Sequence, residues 1–225
     1  MKAKGKIILS CIFFALFIGL IVLVKKVDVA PIGPEGTEIG LSGINQDFHE
    51  MTGVNTGWYD LTKYLGYATL ALVGVFAMVG LVQLIQRKSL LKVDKTILAL
   101  GGLYIVVLAL YFGFDKIAIN YRPVILEGDD GVQPSFPSSH TMLAVVVLGG
   151  AALIVRQYIK NRNLATALQV IAIALCVVLV VGRLLSGVHW LADIIGGVFI
   201  SVALLLLFSG IRDLLGEGGK KAAEA

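Results

Sequence analysis

Two histidines, an aspartate and a set of cations are the residues of this chain whose types and spacing point to chemistry. His189 and Asp193 stand four apart at the start of an apolar run. On a helix that spacing puts them on one face, so the carboxylate can hold one imidazole nitrogen while the other faces a substrate. That is a nucleophile with its orienting group. Arg183 closes the preceding apolar run, and the link Leu184 to Val188 is short enough to return its guanidinium beside His189. A planar guanidinium donates two parallel hydrogen bonds, which suits a phosphate. Pro137, Ser138, Ser139 and His140 open another apolar run. Hydroxyls and free N–H groups at a helix start cradle an anion, and His140, whose type titrates near neutrality, is suited to protonate a leaving oxygen. Lys116 and Arg122 lie at a third span end, where a cation needs a reason to be.

The elements that must position these residues are membrane helices. Hydrophobic types make up 57% of the chain, charged types only 15%, and the mean hydropathy is +0.89, whereas a soluble domain carries roughly 25% charge. Six runs are long enough for the roughly 20 residues that a spanning helix needs: Ile7 to Val24, Tyr64 to Gln86, Thr96 to Phe114, Pro137 to Val155, Asn163 to Gly182, and His189 to Ile211. The runs are continuous rather than alternating, which excludes a β-barrel. The expected fold is therefore all-α: a polytopic bundle of six transmembrane helices forming one membrane-embedded domain over residues 1–225, with no room for a separate soluble domain. The first run follows Lys2, Lys4 and Lys6 but lacks a small-x-small cleavage site, and reads as a retained anchor. Cys11 and Cys176 sit inside apolar runs as packing residues.

With both termini on one side, that side holds 13 of the 19 Lys and Arg residues, and the other side holds 11 of the 15 acids. The bias predicts a cell-membrane protein with cytoplasmic termini, and all three chemistry-bearing segments on the extracytoplasmic face. It also makes the net charge of +4 a topology signal rather than a sign of nucleic-acid binding. The long outer loop, residues 25–63, carries Leu41, Ile44, Phe48 and Met51 at helical spacing, then Trp58, Tyr59 and Tyr64. This predicts a short helix on the membrane surface or a loop packed over the helix ends, with aromatics at headgroup level. His49, within that loop, reads as a surface residue without partners. The tail, residues 216–225, is expected to fray.

Taken together, the three stretches (116–123, 137–140 and 182–193) resemble the type-2 phosphatidic acid phosphatase superfamily, whose pattern is Lys-x6-Arg-Pro, Pro-Ser-Gly-His and Ser-Arg-x5-His-x3-Asp. The corresponding residues are Lys116, Arg122 and Pro123; Pro137 to His140; and Gly182, Arg183, His189 and Asp193. The resemblance implies a phosphohistidine on His189, His140 as acid and then base, and Asp193 orienting His189. It further implies Arg122, Arg183, Ser138 and Ser139 with the helix N–H groups on the phosphoryl oxygens, no metal and no cofactor. The implied partner is a lipid phosphate in the bilayer, with undecaprenyl diphosphate first by family habit, then phosphatidylglycerol phosphate and phosphatidate. Three departures stand out. Ser139 replaces a glycine, and Gly182 replaces a serine. Lys116 stands six rather than seven residues before Arg122, a shift of about 100° around a helix that gives Asp115 the family's lysine position; Lys116 is still expected among the phosphate-binding residues, its flexible stem restoring the reach.

Two rival chemistries fit parts of the pattern. His140, His189 and Asp193 are zinc-ligand types, but Arg122 and Arg183 beside them repel a dication and attract phosphate. A lipid-phosphate binder or transporter would keep the anion pocket without using the nucleophile, and the inverted repeats or broken helices that favour it are not visible.

Overall fold

The computed structural model describes residues 1–217, and no strand occurs among them. Seven α-helices follow one another: α1 (Ala3–Lys26), α2 (Ser42–Thr52), α3 (Thr56–Arg87), α4 (Lys95–Lys116), α5 (Ser139–Tyr158), α6 (Arg162–Leu185) and α7 (Leu191–Leu214). All except α2 are long and apolar enough to cross a membrane, so the chain is a multi-pass helical membrane protein. Their hydrophobicity runs nearly all round, as lipid on one side and protein on the other require.

Burial separates the centre of the bundle from its rim. Half of the apolar window of α5 and of α7 is buried, against 6% in α3. The helices that carry His140 and Asp193 are thus the central pair, while α3 faces mostly lipid. The anchor helix α1 packs along α7 and buries Ser10, Phe17, Leu20 and Val24; the Ser10 hydroxyl donates to the Ala203 carbonyl at 2.7 Å. Cys176 packs in a small cluster with Ala144, Leu148 and Leu179. Cys11, by contrast, is exposed.

At one end of the bundle a polar network ties the helices together. Arg212 of α7 donates to Gln157 of α5 at 3.0 Å and to Thr96 of α4 at 3.4 Å. Lys6 of α1 pairs with Asp213 at 2.7 Å. Residues 216 and 217, the start of the expected frayed tail, are tied here too, since Gln157 donates to Glu217 at 3.0 Å; the rest of that tail lies outside the described residues.

The opposite end carries the chemistry. There α3 begins at Thr56, eight residues before the apolar run that predicted it, because the Asn55 side chain caps it by accepting from Trp58 N–H at 3.0 Å. Trp58 and Tyr59 therefore belong to a spanning helix, while Tyr64 and Tyr67 remain exposed, edge to face. The expected short helix is α2. It presents Ile44 and Met51 outward and also packs on the start of α7, combining both expected roles. Asp28 fixes its first turn, accepting from Ser42 Oγ at 2.9 Å and Gly43 N–H at 2.7 Å.

The α2–α3 link crosses the α6–α7 turn closely. Asn55 N–H donates to the Ser186 carbonyl at 3.1 Å. Gly187 has φ +69°, and a Cβ there would meet the Gly53 carbonyl oxygen at 2.0 Å. Gly187→Ala is therefore expected to lower stability by at least about 1–3 kcal/mol through strain and separation of the two links. A thermal melt of the detergent-solubilised protein checks this, and an unchanged midpoint contradicts it.

Candidate active site

The turn between α6 and α7 positions His189. Sequence spacing predicts His189 and Asp193 on one helical face, but α7 starts at Leu191, and His189 precedes its N-terminal cap residue, Trp190. The pairing survives by a different route. Asp193 Oδ2 accepts from Trp190 N–H at 2.9 Å, closing the first turn. The same oxygen lies 3.6 Å from His189 Nδ1. A carboxylate facing Nδ1 favours the tautomer with its proton there and leaves the Nε2 lone pair for chemistry.

Several neighbours of this turn carry no sequence motif. Asn45 of α2 is fully buried, accepting from Ala192 N–H at 3.1 Å and donating to the Gly40 carbonyl at 2.8 Å. It caps α7 from another helix, a job the Trp190 side chain cannot do well. His49, expected to be a partnerless surface residue, instead packs its ring 5.3 Å from that of Trp190 with its Nδ1 buried. The Trp190 indole donates to the Tyr121 carbonyl at 2.6 Å, tying the turn to the α4–α5 loop. Asn120 and Ser135 of that loop face the Asp193 carboxylate. The only sign of them in the sequence is polarity between apolar spans, which any loop shows.

That loop is ordered by its own ladder. Arg122 N–H donates to the Gln133 carbonyl at 2.9 Å, and Ser135 N–H to the Asn120 carbonyl at 2.9 Å. Beneath it Phe136 packs against Phe17 and Phe114, with ring centroids 5.8 Å and 6.4 Å away. An apolar floor thus fixes the backbone that presents Arg122.

Four of the sequence-derived residues line one cavity of about 640 Å³: Arg122, Ser139, His140 and His189. Its lower walls are apolar and come from α3, α4 and α5, including Leu70, Val73, Leu108 and Met142. Arg183, 1% exposed, lies under this surface, close enough for its charge to act on both histidines. Two expectations are corrected. Ser138 is fully buried as the cap of α5, its hydroxyl accepting from Thr141 N–H at 3.4 Å and its N–H donating to the Asp193 carbonyl at 3.0 Å; it ties α5 to α7 and does not line the cavity. Lys116 is exposed at the end of α4, and Asp115 lines the cavity in its place, as the 100° helical shift dictates.

Buried nitrogens without a protein hydrogen-bond partner gather here: Arg122 Nε, Arg183 Nε and His189 Nε2. Each costs about 1–3 kcal/mol unless a partner is supplied. Arg122 and Arg183 also lie within each other's field. Donors and like positive charges converging on one place call for a multivalent oxyanion.

Burial first, then the charges of Arg183 and Arg122, hold the His189 imidazole well below its ordinary pKa, with the Ser135 carbonyl opposing. A lowered pKa keeps the imidazole neutral and nucleophilic as pH falls through the usual histidine range, and it is lost only at more acid pH. Arg122→Gln removes a repulsive charge, so the acid limb of kcat/KM is expected to move to higher pH than in the parent. Profiles on the same substrate test this, because the substrate's own ionisation cancels. Separately, Arg122 Nη1 lies 3.6 Å from Asp129 Oδ2, both side chains being about a fifth exposed. Phosphate must compete with that carboxylate. Asp129→Asn is expected to tighten inhibition by vanadate roughly two- to five-fold, the scale of a partly exposed pair; weaker inhibition contradicts it.

No curated protein matches the chain. Among solved structures it is similar to the first transmembrane PAP2-type phosphatidylglycerolphosphate phosphatase from Bacillus subtilis. The TM-score is 0.64 at 18% sequence identity, covering 94% of this chain and 98% of that one, a likeness of fold. Residues 96–215, more than half of the sequence, match the PAP2 superfamily. That segment holds the α4–α5 loop, the start of α5 and the α6–α7 turn, hence every motif residue described above, and the chain belongs to the PAP2 superfamily.

Proposed function

We propose that this chain, as one membrane-embedded domain, is a lipid phosphate phosphatase working through a phosphohistidine on His189. The observation that carries the reading is the convergence of His189, His140 and Arg122 at the head of a cavity whose walls along α3, α4 and α5 are mostly apolar, with Arg183 buried behind them. A lipid enters sideways between α3 and α4, its tail against Leu70, Val73 and Leu108, and its phosphate reaches the two guanidinium groups. In the first step the Nε2 lone pair of His189 bonds to phosphorus as the lipid oxygen departs, and that oxygen takes a proton from His140. The incoming phosphate brings the negative charge that a cationic His140 requires. In the second step neutral His140 accepts a proton from water, which attacks phosphorus and breaks the P–N bond. Inorganic phosphate leaves and both imidazoles are restored. Asp193 faces the His189 imidazolium-like charge during transfer, beside its structural bond to Trp190 N–H.

The guanidinium pair supports a metal-independent reaction, since both groups would oppose a dication in the same place. Positive-inside bias puts the site on the extracytoplasmic side and the termini in the cytoplasm. The cavity also bears on the substrate. A diphosphate adds negative charge, yet Asp115 and Asp129 line the cavity and Lys116 does not. That balance favours a phosphomonoester, so a glycerolipid such as phosphatidylglycerol phosphate, the substrate named for the Bacillus subtilis protein, stands ahead of undecaprenyl diphosphate.

The test is phosphate release by the purified protein in detergent with a chelator present, from phosphatidylglycerol phosphate, phosphatidate and undecaprenyl diphosphate. Turnover is expected to persist with chelator, to favour a monoester, and to fall at least ~10³-fold in His189→Ala. Undiminished release from His189→Ala overturns the mechanism, and a preference for the diphosphate overturns the substrate order.

A further inference from the structure

Arg183 is held from a direction that no motif marks. Its guanidinium carbon lies 5.0 Å from the ring centroid of Tyr59, and its Nη1 donates to Thr62 Oγ1 at 3.4 Å. The Thr62 hydroxyl donates in turn to the Trp58 and Tyr59 carbonyls, at 2.8 Å and 3.0 Å, which leaves its lone pairs for the guanidinium. All three residues sit in the first two turns of α3, outside the family-matched segment. Arg183 Nε has no protein partner, so the protein braces the guanidinium from behind and leaves donors for a ligand.

The approach of α3 depends on the residue before Arg183. A Cβ on Gly182 would meet the Trp58 ring at 2.7 Å and Thr62 Cγ2 at 2.8 Å. The family's serine is absent at a point where α3 presses closely on α6.

We infer that Tyr59 and Thr62 are positioning residues that aim Arg183 at the substrate phosphate, with Gly182 as the contact that lets α3 come close enough to do so. The inference rests on the reading of Arg183 as a phosphate ligand. An arginine has four rotatable bonds to freeze before it can donate a bidentate pair. The Tyr59 face fixes the plane of the guanidinium, and Thr62 fixes its rotation within that plane, so its outward N–H groups are set before substrate arrives. A role limited to packing α3 on α6 would give the same burial but no coupling to phosphate binding.

Kinetics and vanadate inhibition of the purified full-length protein separate the two. Tyr59→Leu is expected to lower kcat/KM and weaken vanadate inhibition about ten-fold, while Tyr59→Phe, which keeps the ring face, stays within about two-fold of the parent. Thr62→Val is expected to cost about three- to ten-fold by the same measures. In an Arg183→Ala background Tyr59→Leu should cost nothing further, because the group it aims is gone. An equal loss from Tyr59→Leu with and without Arg183, or no loss in the parent background, overturns the positioning role while leaving the phosphate reading intact. If Arg183→Ala itself leaves vanadate inhibition unchanged, the phosphate reading of Arg183 fails and the positioning role falls with it.

Discussion

Two guanidinium groups and a fully buried carboxylate share one end of a bundle that is otherwise apolar, and the electrostatics of that arrangement govern the rest. Arg122 and Arg183 act on each other and on both histidines, in surroundings too poorly solvated to screen them. Such a cluster is tolerated in a membrane protein only where its charges face a water-accessible cavity or a partner. Every neighbouring element reflects this. The α4–α5 loop holds Arg122 through its backbone ladder, α3 braces Arg183, and the first turn of α7 uses the Asp193 carboxylate for its own closure as well as to face His189.

The two central helices make the site rigid. Because α5 and α7 are the most buried spans, the bond from Ser138 N–H to the Asp193 carbonyl joins two elements that have little freedom to slide. His140 and His189 are thereby fixed in relation to each other through backbone, not through long side chains. The rim helices have the opposite property. The space between α3 and α4 widens into the cavity, where buried Gly66 lies close to the His140 ring. A stiff centre with a permissive rim suits the proposed reaction, in which a phosphate is placed tightly while a lipid tail stays in the bilayer.

The segment before α3 acts as a clamp over that rigid centre. Asn45 caps α7, His49 covers Trp190, and the α2–α3 link presses on Gly187 and Ser186. Asn45, His49 and the α2–α3 link all lie outside the family-matched stretch. Variation there can retune the site without touching a motif residue.

Six spans and an all-helical architecture were legible in the amino-acid sequence, because apolar run length dictates helices in lipid. Residue type and spacing also singled out three stretches, and packing brings residues of all three to one cavity. The one-residue shift of Lys116 was legible too, but that it leaves Asp115 lining the cavity and Lys116 outside it is a finding of the structure. Tertiary structure alone decided that His189 sits before α7 rather than on it, that Ser138 is a cap, and that His49 and Asn45 reach the catalytic turn. It also revealed the bracing of Arg183 by Tyr59 and Thr62. The physical reason is range: hydropathy and helical periodicity act within one segment. A hydrogen bond from α2 to α7, or a guanidinium on an aromatic ring two helices away, exists only after packing has chosen which faces meet.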